Sequence, residues 1–386
     1  VTGERFALVA GGGTAGHLQP ALAIAEALVA SGHERGTIEF VGSTHGQDRL
    51  TLEGKGFPFT LLPGRGIVRS FRPRDLMANL GAMAGLAVAA GRGLGVVRRS
   101  RPQVVVSVGG YASLSASFAA VVLGVPLVLV NVDAVPGAAN RLFGRLARAS
   151  AVGWDGTPLP RSVVTGTPVR PEIAAVGRSA ADRRTARHRL GLPEDRSTVA
   201  VFGGSLGARR INQAVEELSD RWKDRDDRSI YHIVGRRDWE GDPAPSGSGS
   251  ESPSAGLALV RVPYQASMEL VYAAADVVVC RAGAMTVAEL AVAGVPSVLV
   301  PLPRAPGDHQ TANARVLERV GAAVVVADAD CDAGALGAIL DDLVGQPARL
   351  ESMGRAASTL GRRDAAGAGA RLVEANARPR RVAGSS

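Results

Sequence analysis

Short runs of β-branched residues alternate along this chain with longer stretches rich in Ala and Leu. The short runs read as strands and the longer ones as helices. Strands are predicted over 6–10, 38–41, 104–108, 127–131, 199–202, 231–234, 257–262, 277–280, 298–300 and 323–326. Helices are predicted over 22–31, 138–148, 211–222, 267–274, 286–293 and 312–320. Repeated strand–helix units predict an α/β protein with parallel sheets.

One stretch occurs twice. FALVAGGGTAG (6–16) and TVAVFGGSLG (198–207) are each an apolar strand running into a Gly-rich turn and a helix. Gly12, Gly13, Thr14 and Gly16 align with Gly203, Gly204, Ser205 and Gly207. This is the opening of a Rossmann-like domain, and two openings half a chain apart predict two such domains in tandem. The boundary is placed near 165–173, where two prolines interrupt regular structure. Residues 242–256, biased to Pro, Gly and Ser, read as a flexible loop, and the basic tail after 377 as frayed.

Length agrees, since 386 residues suit two domains. With 46% hydrophobic but only 4% aromatic residues, the cores must be built from Ala, Val, Leu and Gly. Lys+Arg number 44 against 36 Asp+Glu, and only Lys55 and Lys223 are lysines. The net charge of +8 therefore sits on arginine and suggests an anionic partner: nucleic acid, a membrane surface or a phosphorylated ligand. Cys280 and Cys331 form no CxxC pair, which excludes a disulfide framework or zinc ribbon and points to a reducing compartment. The first residues lack the layout of a signal peptide, and the body of the protein is expected to be cytosolic.

The positive charge is not spread evenly. Arg65, Arg69, Arg72, Arg74, Arg92, Arg98, Arg99 and Arg101, opposed by Asp75 alone, flank the apolar stretch 76–91. At 16 residues it is short and weakly apolar for a membrane span. It reads either as a core helix with solvated ends or as a peripheral surface that docks on anionic lipid.

Gly11-x-Gly13-x-x-Gly16 satisfies the dinucleotide fingerprint, with Glu39 available as a ribose acid, and also suits a tight turn holding no ligand. Glycines admit a diphosphate close to the backbone, and free amides at the helix start supply positive potential. His17 follows the last glycine where the second copy has Ala208, so the duplication breaks at a residue able to take a proton near neutral pH. His33, His45, His188 and His232 stand without evident partners. In CRAGAMTVAEL (280–290), Thr286 and Glu289 have capping-box spacing; Glu289 either caps a helix or accepts hydrogen bonds from vicinal sugar hydroxyls. Pro301 opens a loop ending at a helix whose first turn presents Asp308, His309, Gln310 and Asn313, groups suited to a sugar or phosphate.

GGGTAGHLQPALAIAEAL, VGGYAS, PGAANR, TGTPVR, VFGGSLGARRIN, DVVVCRAGAMTVAEL and DHQTANA, in this order and spacing, closely resemble the MurG family. The resemblance runs from Phe6 to about Ala370. Members of that family are peripheral membrane enzymes that move N-acetylglucosamine (GlcNAc) from UDP-GlcNAc onto lipid I, forming the peptidoglycan precursor lipid II. The resemblance implies the two-domain GT-B fold with a cleft between the domains. An acceptor and membrane domain is expected over 1–167 and a UDP-sugar domain over 168–359. A final helix, about 360–378, would cross back to the first domain.

Residue by residue, the resemblance implies that Thr14, Ala15 and Gly16 form part of the donor-side phosphate and sugar loop, with His17 as the base. Arg170 and Ser205 would contact the pyrophosphate, and the backbone around Tyr264 and Gln265 would read uracil. Ala284, Met285, Thr286, Val287, Ala288 and Glu289 match the segment holding sugar and ribose, with Glu289 on the ribose hydroxyls. Gln310, with His309, matches the groups that reach the GlcNAc hydroxyls. Gly109, Gly110 and Tyr111 resemble the acceptor-side glycine loop.

Two segments depart from the family. Val130, Asn131, Val132 and Asp133 stand where a His-Glu-(Gln/Ala)-Asn run is usual, so a sugar-contacting Asn is here Asp133. Ala112-Ser113-Leu114-Ser115 replaces the familiar Ser-Gly-Pro after Tyr111. The implied chemistry is an inverting displacement with His17 or Asp133 as base, no cofactor and no metal. Asp328-Ala329-Asp330 spells the manganese motif of another transferase architecture but reads as a solvated loop.

Expected partners are UDP-GlcNAc, undecaprenyl-linked lipid I, an anionic membrane surface on the cytoplasmic side and cell-wall assembly proteins. A related transferase using UDP-GlcNAc on another lipid or natural-product acceptor is the alternative. A nicotinamide-dependent oxidoreductase would leave the second glycine loop, Glu289 and 308–314 without work. A nucleic-acid binder is disfavoured by the few aromatics.

Overall fold

The computed structural model describes residues 4–12, 15–44, 48–62, 73–204, 207–239 and 256–379. The chain folds into two compact units, Val1–Val169 with Asp364–Ser386, and Arg170–Arg363.

The first unit alternates strands β1 (Ala7–Gly11), β2 (Ile38–Ser43), β3 (Phe59–Leu62), β4 (Val104–Gly109), β5 (Leu127–Asn131), β6 (Ala149–Val152) and β7 (Ser162–Val164) with helices α1 (Ala15–Ala30), α2 (Asp48–Leu52), α3 (Pro73–Ser100), α4 (Tyr111–Val122) and α5 (Ala138–Phe143). Its seven strands lie in the order β3-β2-β1-β4-β5-β6-β7, all parallel. Strands β1, β2, β4, β5 and β6 are buried throughout, as a sheet covered by helices requires. The side chains that fill this core are small, and helices therefore approach closely: a Cβ on Gly93 of α3 would fall 2.8 Å from the Ser115 carbonyl oxygen of α4.

The second unit contains α6 (Pro171–Ala174), α7 (Ala180–Arg189), β8 (Ser197–Phe202), α8 (Arg209–Arg221), β9 (Arg228–Ile233), β10 (Ala258–Val262), α9 (Met268–Ala274), β11 (Val277–Cys280), α10 (Ala284–Ala293), β12 (Ser297–Leu299), α11 (His309–Arg319), β13 (Ala323–Val325), α12 (Ala333–Val344) and α13 (Pro347–Leu360). Its sheet runs β10-β9-β8-β11-β12-β13, again all parallel. Val199, Val201, Ile211, Val279, Val298 and Leu336 centre its core. The chain then returns as α14 (Ala365–Asn376), which packs on α1 within the first unit.

Several sequence expectations change. The helix expected over 138–148 stops at Phe143, because the backbone from Ala149 is taken into the sheet beside β5. Strands β3, β6 and β7 were not expected; β6 is only Ala-Ser-Ala-Val and β7 is mostly exposed, so neither carries a strong apolar run. Helix α1 begins seven residues earlier than expected, directly from the glycine turn. The tail is not frayed at its start: the Arg378 amide donates to the Gln103 carbonyl at 3.0 Å and its guanidinium reaches the Gly124 carbonyl. Residues 242–255 of the expected loop, and Arg65, Arg69 and Arg72, lie outside the described residues. Among the described residues no helix is long and apolar enough to cross a membrane.

Candidate functional site

In each sheet one central strand marks the place where strand order reverses: β1 between β2 and β4, and β8 between β9 and β11. The connections on either side leave toward opposite faces, which opens a crevice at the carboxyl ends of the central strands. Both glycine turns open there.

In the first unit, β1 and β4 pair in register until a bulge after Ala10 brings Gly11 opposite Gly109. The turns that follow are locked together. Gly109 and Gly110 have φ of +113° and +83°, conformations that disfavour any side chain. His17, half-buried on the first turn of α1, lies across them: a Cβ on Gly109 would come 2.7 Å from His17 Cδ2 and 2.9 Å from Nε2. A Cβ on Gly110 would sit 2.4 Å from the Gly12 carbonyl oxygen. The sequence-assigned base and acceptor glycines are therefore one constellation.

Two residues that the sequence reading left without a role hold it in place. The Ser113 hydroxyl, fully buried, donates toward the Ala10 and Gly109 carbonyls at 3.0 and 2.6 Å and accepts from the Gly109 amide at 2.9 Å. It ties the ends of β1 and β4 together. Asp48, buried at the head of α2, accepts the Ser43 amide with Oδ2 at 2.8 Å, and that oxygen occupies the space beside Gly12, 2.0 Å from where a Cβ would stand. Each follows a strand by a few residues, a placement that in sequence looks like an ordinary turn.

Asp133 lies half-buried beyond β5, its carbonyl accepting from Asn131 Nδ2 at 2.6 Å. Asn140 in turn donates to the Asn131 side chain and the Val130 carbonyl, so this departure from the family is braced by an amide network. Thr14 lies outside the described residues, and Ala15 and Gly16 are the first two residues of α1.

In the second unit, Ala208 occupies the place of His17. It is buried in the core and packs tightly on the turn: a Cβ on Gly203 would lie 2.3 Å from Ala208 Cβ. What this turn offers is the start of α8, whose first amides have no partner within the helix. Ser205 lies outside the described residues.

Beside this turn, Glu289 stands in α10 with its side chain 12% exposed. The Tyr272 hydroxyl donates to Oε2 at 2.8 Å, and Arg170 Nε lies 3.9 Å from Oε1. Burial pushes the Glu289 carboxyl up from its ordinary range, against the opposing pull of Tyr272 and Arg170. Burial, reinforced by the neighbouring carboxylate, pushes Tyr272 up as well, so the phenol is the donor. The capping alternative for Glu289 is corrected: α10 is capped at Gly283, and Glu289 is its sixth residue. Ala284, Met285 and Thr286 supply amides free of helical bonds, whereas Val287 and Ala288 are buried and the Val287 amide already bonds Gly283.

Arg170 caps α6 and also donates to the Ala266 carbonyl at 3.4 Å. Gln265 turns its side chain inward, to the Tyr231 hydroxyl at 2.8 Å and the Ser267 amide at 3.0 Å, leaving its backbone for any ligand. Tyr264 is exposed with the Arg236 guanidinium 4.3 Å above its ring. At the start of α11, Gln310 Oε1 accepts from the Leu302 amide at 2.9 Å and His309 Nδ1 donates to the Pro306 carbonyl at 2.9 Å. Asn313 is fully buried on the Ala282 carbonyl and serves the fold.

Other expectations are corrected as well. Glu39 is no ribose acid: it is buried on Ser100, Thr60, Arg5 and Arg99. His33 bonds Glu374 at 3.0 Å, His232 bonds Asn212 at 3.0 Å and His188 lies 3.7 Å from Glu194, while His45 is outside the described residues. Burial holds His232 down at about 4, which makes it a neutral core residue. The segment 328–330 is solvated as expected at Ala329 and Asp330, both exposed, while Asp328 pairs with Arg281 at 2.6 Å. Among the described residues no cluster of His, Cys, Asp or Glu is arranged to hold a metal ion.

Comparison with known proteins covers both units. The profile of the glycosyltransferase family 28 N-terminal domain matches residues 7–152, and that of the family 28 C-terminal domain matches 198–368. The UDP-N-acetylglucosamine--N-acetylmuramyl-(pentapeptide) pyrophosphoryl-undecaprenol N-acetylglucosamine transferase of Acidothermus cellulolyticus is 40% identical over 376 residues, 97% of this chain and 99% of that protein. The protein of the same name from Nocardioides sp. is 40% identical over 366 residues, 95% and 96% of the two chains. Among solved structures, MurG of Acinetobacter baumannii superposes with a TM-score of 0.75 at 24% identity, covering 97% of this chain and all of that one. Two parallel-sheet units with these matches have the GT-B fold, and the chain belongs to the MurG family of glycosyltransferase family 28.

Proposed function

We propose that this enzyme transfers N-acetylglucosamine from UDP-GlcNAc to the 4-hydroxyl of N-acetylmuramic acid (MurNAc) in undecaprenyl-pyrophosphoryl-MurNAc-pentapeptide, forming lipid II with inversion at the anomeric carbon. The observation that carries this reading is 40% identity to transferases of that name over nearly the whole of both chains.

The side chains supply a mechanism. His17 accepts the proton of the attacking hydroxyl as its oxygen bonds the anomeric carbon, and the bond from that carbon to the diphosphate oxygen breaks with its electron pair leaving on UDP. Asp133 is the second candidate base. The first unit, with Gly109, Gly110 and Tyr111, takes the acceptor; the second takes the donor. The amides at the head of α8, with Ser205 and Arg170, meet the charge that grows on the leaving diphosphate. Glu289 accepts from the ribose hydroxyls, the backbone at Tyr264 and Gln265 reads the base, and Gln310 with the amides of 284–286 faces the sugar.

Incubation with a synthetic lipid I analogue and labelled UDP-GlcNAc should yield labelled lipid II. Turnover of UDP-GlcNAc only on a different acceptor would transfer the assignment to a related enzyme, and thermal stabilisation by NADH alone would overturn it.

Membrane docking is a finer part of the same proposal. Val88, Phe118, Val122, Leu142 and Leu146 are exposed on α3, on α4 and on or just beyond α5, among the exposed Arg92, Arg141, Arg145 and Arg148. Apolar side chains within an arginine field suit the cytoplasmic face of an anionic bilayer. Binding to anionic vesicles should weaken with salt and disappear when Arg69, Arg72, Arg74, Arg141 and Arg145 are neutralised; binding indifferent to both would remove this part.

A further inference from the structure

Tyr272 is among the largest fully buried side chains of the molecule. Its ring meets Phe202, at the end of β8, edge-on at a centroid distance of 6.1 Å. Its hydroxyl has one partner of consequence, Glu289 Oε2 at 2.8 Å. An aromatic ring needs no hydroxyl to fill a core, and a buried hydroxyl is costly unless it is bonded. Here it is spent on a carboxylate that is itself largely withdrawn from water.

The bond constrains Glu289 in a particular way. A glutamate carboxylate rotates broadly about its last torsion. With Oε2 tied to a phenol on α9 and Oε1 toward Arg170 at the head of α6, the plane of the group is set from two sides. Each carboxylate oxygen carries two lone pairs, so Oε2 keeps one for a ligand and Oε1 is held for a second donor. Two acceptors at a fixed spacing match a vicinal diol and mismatch a sugar lacking one hydroxyl.

We infer that Tyr272 is a positioning residue that sets the preference of the donor site for a ribonucleoside diphosphate over its 2′-deoxy counterpart, by fixing the plane in which Glu289 meets the two ribose hydroxyls. This rests on the reading of Glu289 as the ribose acceptor given above. Tyr272 touches neither substrate nor the reacting atoms. Its effect is on discrimination, because a site built to bond a hydroxyl rejects the analogue lacking it only while the acceptor stays in place.

The test is calorimetric binding of UDP and 2′-deoxy-UDP to the full chain. Tyr272→Phe, which removes one oxygen from an otherwise unchanged ring, should weaken UDP by about tenfold, weaken 2′-deoxy-UDP much less, and bring the ratio of the two affinities to within about twofold. Turnover at saturating donor should hardly change. In a Glu289→Gln background the additional Tyr272→Phe change should leave the ratio where Glu289→Gln put it, as expected of coupled residues. A Tyr272→Phe protein with the wild-type ratio would overturn the inference. Should that variant not fold, Glu289→Asp withdraws the carboxylate from the phenol by one methylene, and a wild-type ratio there overturns it equally. UDP affinity untouched by Glu289→Gln would instead remove the ribose assignment beneath it, a result separable from the first.

Discussion

The two glycine turns start from nearly the same sequence and end in different surroundings. Both follow the central strand of a parallel sheet, at the point where strand order reverses. In the first, the residue after the last glycine is His17, whose ring lies over the Gly109–Gly110 turn at the end of β4. In the second it is Ala208, buried against Gly203. A methyl group lets the helix close down on its own turn, leaving the amide-lined mouth of α8 for an anion. In the first unit the imidazole instead packs closely on Gly109 and Gly110. In the function proposed above, one side chain thus separates the turn assigned to stabilising the leaving group from the turn assigned to moving a proton.

Substitutions at the two turns can break or sharpen that contrast. The largest effect is expected from His17→Ala, which should lower turnover by about 10²–10⁴-fold while leaving UDP affinity within about twofold. Equal losses in both, measured by product formation and calorimetry, would make His17 a structural contact and erase the contrast. Next comes Glu289→Gln, which should weaken UDP by about 10–100-fold through loss of a charged acceptor. The same variant carries a pH signature. Burial raises the Glu289 pKa in the folded state above its unfolded value, so the folded state binds the extra proton more readily. The ionised group therefore costs stability above that pKa, and the cost fades as pH falls through it. Without ligand, Glu289→Gln should be at least as resistant to urea as the wild type at pH 7, with the difference shrinking toward acid; a variant markedly weaker at pH 7 would show that ionised Glu289 supports the fold.

A smaller effect is expected at Ser113, which ties β1 to β4. Ser113→Ala should slow turnover about tenfold and cost about 1–3 kcal/mol of unfolding free energy. In a His17→Ala background it should slow turnover no further, because its influence passes through the imidazole. A full additional loss in that background would make the hydroxyl a fold determinant only. The smallest change in turnover belongs to Ala208→Val. Overpacking there should cost about 1–3 kcal/mol in denaturant yet leave the rate within about twofold; a large drop in rate would mean that the second turn is as finely set as the first.

The duplication was legible because a glycine-rich turn after a buried strand has few alternative uses, and His17, Glu289 and the motif around Gln310 stood out as polar residues at strand ends. The helix overrun at 138–148 and the missed strands β6 and β7 share a cause: Ala-Ser-Ala-Val and Ser-Val-Val are too short to carry a strand signal of their own and enter the sheet beside a neighbouring strand's free edge. Glu39 and Asn313 had the composition of ligand groups, and only their neighbours revealed them as structural.

Local pattern, through the spacing of apolar residues and the backbone freedom of glycine, determined by itself that this chain is two α/β units with a glycine turn opening each. Tertiary structure alone decided which polar groups face one another. Tyr272 stands behind Glu289, Ser113 joins β1 to β4, and Asp48 lies beside Gly12. These are contacts between different elements, 17 to 103 residues apart in sequence. Their strength comes from burial, which exists only once the sheets have formed and water has left.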